Sequence, residues 1–160
     1  MQTTKHIILI TGAPGTGKTT AISKVAEALK AQGYKTGGMT TREERQGELR
    51  VGFQILDLAT QKQGWLAHVN QSGGPRVGKY GVSLVALDGI GASAIQEATK
   101  TADVIIIDEI GPMELSSQAF KQVVQQAMNS AKPVIATMHY RATDTFIKSI
   151  KRLPDADHYE

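Results

Sequence analysis

The chain has 160 residues, of which 41% are hydrophobic and 5% aromatic, with a formal net charge of +3 and no cysteine. That length suits one compact domain spanning 1–160. The lack of thiols excludes disulfides and thiolate metal sites, and the weak basic balance suits a phosphate-bearing small ligand better than nucleic acid. No apolar run approaches the ~20 residues of a membrane span, and the first residues lack a secretory pattern, so a cytoplasmic protein with no membrane partner is expected.

The first predicted element is a strand, His6 to Ile10, an apolar run rich in β-branched residues. It leads into Gly12-Ala13-Pro14-Gly15-Thr16-Gly17-Lys18-Thr19, which fits the phosphate-binding loop G-x-x-x-x-G-K-[ST] at every fixed position. The glycines let successive backbone N–H groups converge on phosphate oxygens, at the positive end of the helix that follows. In that pattern Lys18 reaches the β- and γ-phosphates as a point charge and acts in catalysis, and the Thr19 hydroxyl ligates Mg2+. Ile22, Val25, Ala26 and Leu29 keep helical spacing, so a helix is predicted from about Lys18 to Ala31, closed by Gly33.

A second strand is predicted over Tyr34–Thr41, with Gly37-Gly38 allowing a bend or a close approach to a ligand. Arg42-Glu43-Glu44-Arg45 reads as a solvated loop, from which Arg42 alone is placed to face the phosphates. Strands from Leu49 to Leu58 and from Trp65 to Val69 follow, the first with Val51, Phe53 and Ile55 in alternation. Together they predict a small antiparallel insertion over about 42–83. Trp65 is read as a packing residue rather than a base-stacking one. Arg76 and Lys79, beside Gly78 and Gly81, are read either as phosphate or base contacts or as a returning loop.

A helix is expected from Gly91 to Ala102. Then Val104-Ile105-Ile106-Ile107 reads as a central parallel strand ending in Asp108-Glu109. Ligands of open α/β sheets bind beyond the carboxyl ends of the strands. Asp108 is therefore the expected Mg2+ carboxylate, and Glu109 the base that orients and deprotonates an attacking water. Ser116 or Ser117 caps a helix carrying Phe120, Val123, Val124 and Ala127, and a buried strand Val134–Met138 follows. His139 at its end is read as a γ-phosphate sensor or as a plain strand-end histidine, and Arg141 as an arginine finger or as a surface residue. Thr143 or Asp144 caps a last helix, and Asp155 to Glu160 is expected to be a short polar tail.

In order along the chain, the Thr11–Thr20 loop, Arg50-Val51-Gly52-Phe53, Val77-Gly78-Lys79-Tyr80-Gly81-Val82 and Ile107-Asp108-Glu109-Ile110-Gly111-Pro112-Met113-Glu114-Leu115 resemble the THEP nucleoside-triphosphatase family. The resemblance covers nearly the whole chain. It implies a three-layer α/β P-loop fold with a RecA-like, mostly parallel sheet. It also implies Mg2+-dependent hydrolysis of nucleoside triphosphates to diphosphate and phosphate, with broad base selectivity and slow turnover. By matching positions, Gly12, Ala13, Pro14, Gly15, Thr16, Gly17, Lys18, Thr19 and Thr20, together with Asp108, Glu109, Ile110 and Gly111, are implied to form the nucleotide site. Relatives continue past the segment matching Ile150–Pro154 with a further strand and helix, so the stop at Glu160 is read either as a naturally short chain or as a truncation, and a truncation would leave a sheet edge open. A P-loop nucleotide kinase or other phosphotransferase, or a nucleotide-gated switch, are the alternative functions, because P-loop folds serve all three. Nothing in the sequence names a protein partner.

Overall fold

The computed structural model describes residues 6–13, 16–139 and 144–160. Pro14, Gly15, Arg141 and Thr143, singled out above, lie outside the described residues.

Three segments, β1 (Ile7–Gly12), β7 (Val104–Ile110) and β8 (Val134–His139), are so apolar that each buries both of its faces. They pair in parallel, β7 with β8 and β8 with β1. Their side chains alternate between two apolar layers. Ile7, Leu9, Ile105, Ile107, Ala136 and Met138 enter the larger cluster, while Ile8, Ile10, Val104, Ile106 and Ile135 enter the smaller one. Helix α1 (Lys18–Ala31) covers the smaller layer through Ile22, Ala26 and Leu29. The opposite face is covered by α2 (Leu84–Ala86), running through a π-helical turn (Leu87–Ala92) into α3 (Ser93–Thr101), and by α4 (Gln118–Asn129) and α5 (Thr145–Lys151). The result is the three-layer α/β architecture. α4 buries the expected face, Phe120, Val123, Val124 and Ala127. Ser117 caps it by accepting from the Phe120 N–H at 3.0 Å. Asp144 caps α5 in the same way, accepting from the Phe146 N–H at 2.7 Å. The helix expected from Gly91 begins earlier, at Leu84, where the Ser83 hydroxyl accepts from the Ala86 N–H.

The strand order is β5-β6-β4-β3-β2-β7-β8-β1-β9, adding β2 (Thr36–Gln46), β3 (Leu49–Asp57), β4 (Gln63–His68), β5 (Arg76–Val77), β6 (Tyr80–Val82) and β9 (Ala156–Tyr159). The first part of β2 runs parallel to β7, with Gly38 opposite Ile106. There Gly38 has a φ of 114°, and a Cβ would stand 1.9 Å from the Ile106 carbonyl oxygen. The close approach inferred for this glycine is therefore to a neighbouring strand and not to a ligand.

One expectation is corrected. Arg42 to Arg45 are not a loop, because β2 continues through them and pairs antiparallel with β3, Arg42 opposite Gln54 and Glu43 opposite Phe53. Cross-strand pairing satisfies their backbone while the Arg42–Glu44 and Arg45–Glu43 ion pairs offset their charges. The short polar tail forms a strand: Ala156–Tyr159 pairs in parallel with β1, Ile7 opposite Ala156 and Ile10 opposite Tyr159.

Candidate active site

β1 delivers the chain to the loop and α1 carries it away, with Gly17 at the helix N-cap in a left-handed conformation, φ 91°. A Cβ there would meet nothing within 4 Å, so glycine is required by backbone conformation and not by space. Thr16 holds the loop together, its hydroxyl donating to the Ala13 carbonyl at 2.7 Å. Lys18 Nζ donates to the Gly12 carbonyl at 2.6 Å, which keeps the ammonium over the loop.

Across from the loop, β7 and β8 fall out of step. Ile107 faces Ala136, yet Ile110 faces Met138, so Asp108 and Glu109 together stand opposite Thr137. Successive strand residues ordinarily point to opposite faces, and an extra residue re-aims one of them. Here both carboxylates line one cavity of about 650 Å3, shared with Gly17, Lys18, Thr19, Thr20 and His139.

Asp108 is buried, at 2% exposure, and Thr137 donates to its Oδ1 at 2.6 Å. Its other oxygen, Oδ2, is buried without a hydrogen-bond partner among the described residues. Burial pushes the Asp108 carboxyl above the usual carboxylate range, opposed by Thr137, by the Thr19 hydroxyl beside it and by the charge of Lys18. Glu109 is also raised, by burial first, with Lys18 opposing and Asp108 adding to the rise. A carboxylate raised in this way is a better proton acceptor than a solvated one.

This donor set fits a hard, oxygen-seeking cation. An orphaned carboxylate oxygen and a threonine hydroxyl lie side by side at the phosphate-binding loop. Mg2+ characteristically takes one or two protein oxygens, completing its shell with phosphate and water.

Of the remaining expected residues, Arg42 lines the cavity, but its guanidinium is largely exposed and pairs with Glu44 at 3.0 Å. Ile110 is fully buried in the core, and the Gly111 N–H donates to Glu114 at 3.2 Å, so neither offers a side chain to the cavity. Trp65, expected to pack, is 40% exposed on β4 and lies edge-on to His68 with ring centroids 4.8 Å apart.

The structure adds four residues to which the sequence reading gave no role. Glu114 lines the cavity fully buried, and burial, then the charge of Glu109, pushes its carboxyl well above the usual range. Arg50, Phe53 and Tyr80 meet on the far wall. Arg50 Nε donates to the Tyr80 hydroxyl at 2.8 Å, and its Nη1 pairs with Glu43 at 3.1 Å. The guanidinium lies 5.2 Å from the Phe53 ring centroid, and Phe53 meets Tyr80 edge-on at 5.3 Å. A signal existed, since all four sit in the stretches that carry the family resemblance.

A mixed sheet that is parallel across β2, β7, β8, β1 and β9, a glycine-rich loop opening a helix at the end of β1 and an acidic pair at the end of β7 define a P-loop α/β protein. A family model described as NTPase matches residues 7–160. The chain is 50% identical over 137 residues to nucleoside-triphosphatase THEP1 of Thermofilum pendens, covering 86% of this chain and 75% of that one. It is 49% identical over 139 residues to THEP1 of Methanocaldococcus jannaschii, covering 87% and 81%. Among solved structures, THEP1 of Aquifex aeolicus superposes with a TM-score of 0.83 at 36% identity, covering 96% of this chain and 88% of that one. A human cancer-related nucleoside triphosphatase superposes with a TM-score of 0.79 at 33% identity, covering 98% and 88%. The chain belongs to the NTPase family, alongside the THEP1 nucleoside-triphosphatases.

Proposed function

We propose that this protein hydrolyses nucleoside triphosphates to the diphosphate and phosphate in a Mg2+-dependent reaction. The observation that carries this reading is the meeting, in one cavity, of Lys18 and Thr19 with Asp108 and Glu109, one oxygen of Asp108 being buried and unpaired. Thr19 and Asp108 would hold the cation, which would supply positive charge to neutralise the phosphates. Lys18 binds the terminal phosphates and stabilises the charge that develops on them. Glu109 orients a water beside the γ-phosphorus and accepts its proton as the water oxygen bonds to phosphorus, while the bond from that phosphorus to the bridging oxygen breaks and its electron pair leaves with the nucleoside diphosphate. Broad base selectivity is the family expectation, and a cytoplasmic location fits such substrates. Nine strands in one sheet support treating 1–160 as one domain with an insertion over about 42–83.

The test is phosphate release from ATP, GTP, CTP and UTP, with Mg2+ and with chelator. Release from all four in Mg2+ alone is expected. Lys18→Ala weakens nucleotide binding and abolishes release. Glu109→Gln keeps binding and loses roughly a hundredfold or more in turnover, within the usual range for a general base. Normal hydrolysis by Glu109→Gln removes the base from Glu109.

A further inference from the structure

The cavity encloses about 650 Å3, within the roughly 300–1,000 Å3 of sites that enclose small organic ligands. It holds the phosphate end at Lys18 and Thr19 and continues past Glu109 on one side. In the sheet order, β1 with the loop is followed by β8, then β7 with Glu109, then β2, β3, β4 and β6. Passing from Lys18 to Glu109 and onward therefore leads from the phosphates to the nucleophile and then into the rest of the cavity. That remainder is walled by Phe53, Leu66, Val77 and Met113, with Arg50 and Glu43 at its polar side. Arg50 is fixed there by Tyr80 and Glu43, and its Nη2 has no partner among the described residues.

We propose that this chamber binds a second small molecule with a flat apolar body and a free hydroxyl, of the nucleoside class, and that its hydroxyl takes the place of water at the γ-phosphate. The flat ring lies against Phe53 and the aliphatic wall, while Arg50 and Glu43 offer a donor and an acceptor to its polar edge. The balance is that of hydrolysis with one substituent changed. The hydroxyl oxygen bonds to the γ-phosphorus, and the bond from that phosphorus to the bridging oxygen breaks. The electron pair leaves with the nucleoside diphosphate, and the hydroxyl proton passes to Glu109. The proposal rests on the triphosphatase reading for its donor end.

The experiment has two arms. In the first, adenosine, guanosine, cytidine, uridine and thymidine are each titrated calorimetrically into protein saturated with Mg2+ and a triphosphate analogue carrying a non-hydrolysable β–γ bridge. In the second, the protein turns over ATP labelled at the γ-phosphate with each nucleoside present, and label is partitioned between inorganic phosphate and nucleoside monophosphate. At least one nucleoside is expected to bind the complex and to capture label. Phe53→Ala is expected to weaken that binding roughly tenfold, the scale of one lost ring stack, and to shift label towards inorganic phosphate. Met113→Ala, a milder cut in the same wall, should move both readouts in the same direction should Phe53→Ala not fold. No binding by any nucleoside, with label only in inorganic phosphate, overturns the chamber and leaves the hydrolase standing. Binding without labelled monophosphate overturns the transfer step. If no label is released at all, the hydrolase reading fails, and the titration alone decides the chamber.

Discussion

At the scale of single residues, the site is a cluster of acids kept out of water. Asp108, Glu109 and Glu114 all titrate above their ordinary range, burial being the first cause in each. Asp108 and Glu109 are the two proposed to hold the cation and take the proton, but Glu114 is fully buried and its visible bond is from the Gly111 N–H, which an uncharged carboxyl accepts as well. Its linkage to stability has a definite sign. The folded state holds the Glu114 proton more tightly than the unfolded chain, whose value is near 4.5. The stabilisation is therefore complete below about pH 4.5 and is lost as pH rises through the folded value. Glu114→Gln keeps an oxygen for Gly111 and cannot ionise. In metal-free buffer its urea midpoint should exceed that of the parent at pH 8, with the gap closing towards pH 4.5. A gap independent of pH would mean that Glu114 is carried charged, held by contacts that burial alone does not describe.

At the scale of elements, what the sequence made legible was local. The loop motif, the helix after it and the β-branched strand ending in Asp108-Glu109 are each written in a few neighbouring residues, and the caps at Ser117 and Asp144 follow from residue type and position. What escaped depends on partners distant in sequence. Arg42 to Arg45 look like a solvated loop until β3 supplies their hydrogen bonds, and Arg50 meets Tyr80 only because β3, β4 and β6 stack in register. Glu114 looks like a surface acid beside a turn, since nothing nearby in the sequence announces that the fold will bury it beside Glu109. Ser117 shows how one residue works at both levels. It caps α4 through Phe120, as its type predicts, and also donates to Asp88 on the π-helical turn, tying two helices together. Ser117→Ala should therefore cost more than the ~1 kcal/mol of an ordinary cap, about 2 kcal/mol once the lost bond to Asp88 is added. Asp88→Ala should cost only the second part. If the two substitutions cost the same and the double variant costs no more, the cap itself contributes nothing.

At the scale of the whole molecule, the loop is carried by β1, and β1 is central only because something lies on each side of it. β8 pairs on one side through six residues and β9 on the other through four. Without β9 the strand that positions Gly12 and Lys18 would be a sheet edge, with unpaired N–H and C=O groups facing water and a template for pairing with another chain. The apolar contribution of β9 is small, since only Ala156 of its four residues is apolar and half-buried, the other three being exposed. Its value is therefore mainly backbone pairing. At about 0.5–1.5 kcal/mol per hydrogen bond, a few ladder bonds amount to roughly 2–4 kcal/mol, a sizeable part of the ~5–15 kcal/mol that holds an ordinary domain together. Ending the chain at Asp155 should lower the urea midpoint by that amount while circular dichroism still reports the helices. The same truncation should raise the tendency to self-associate, read by light scattering, because β1 becomes an open edge. The two effects separate the possible roles of the strand. Lost stability without association would mean that β9 serves as a brace on β1, and association at unchanged stability would mean that it serves chiefly as a cover.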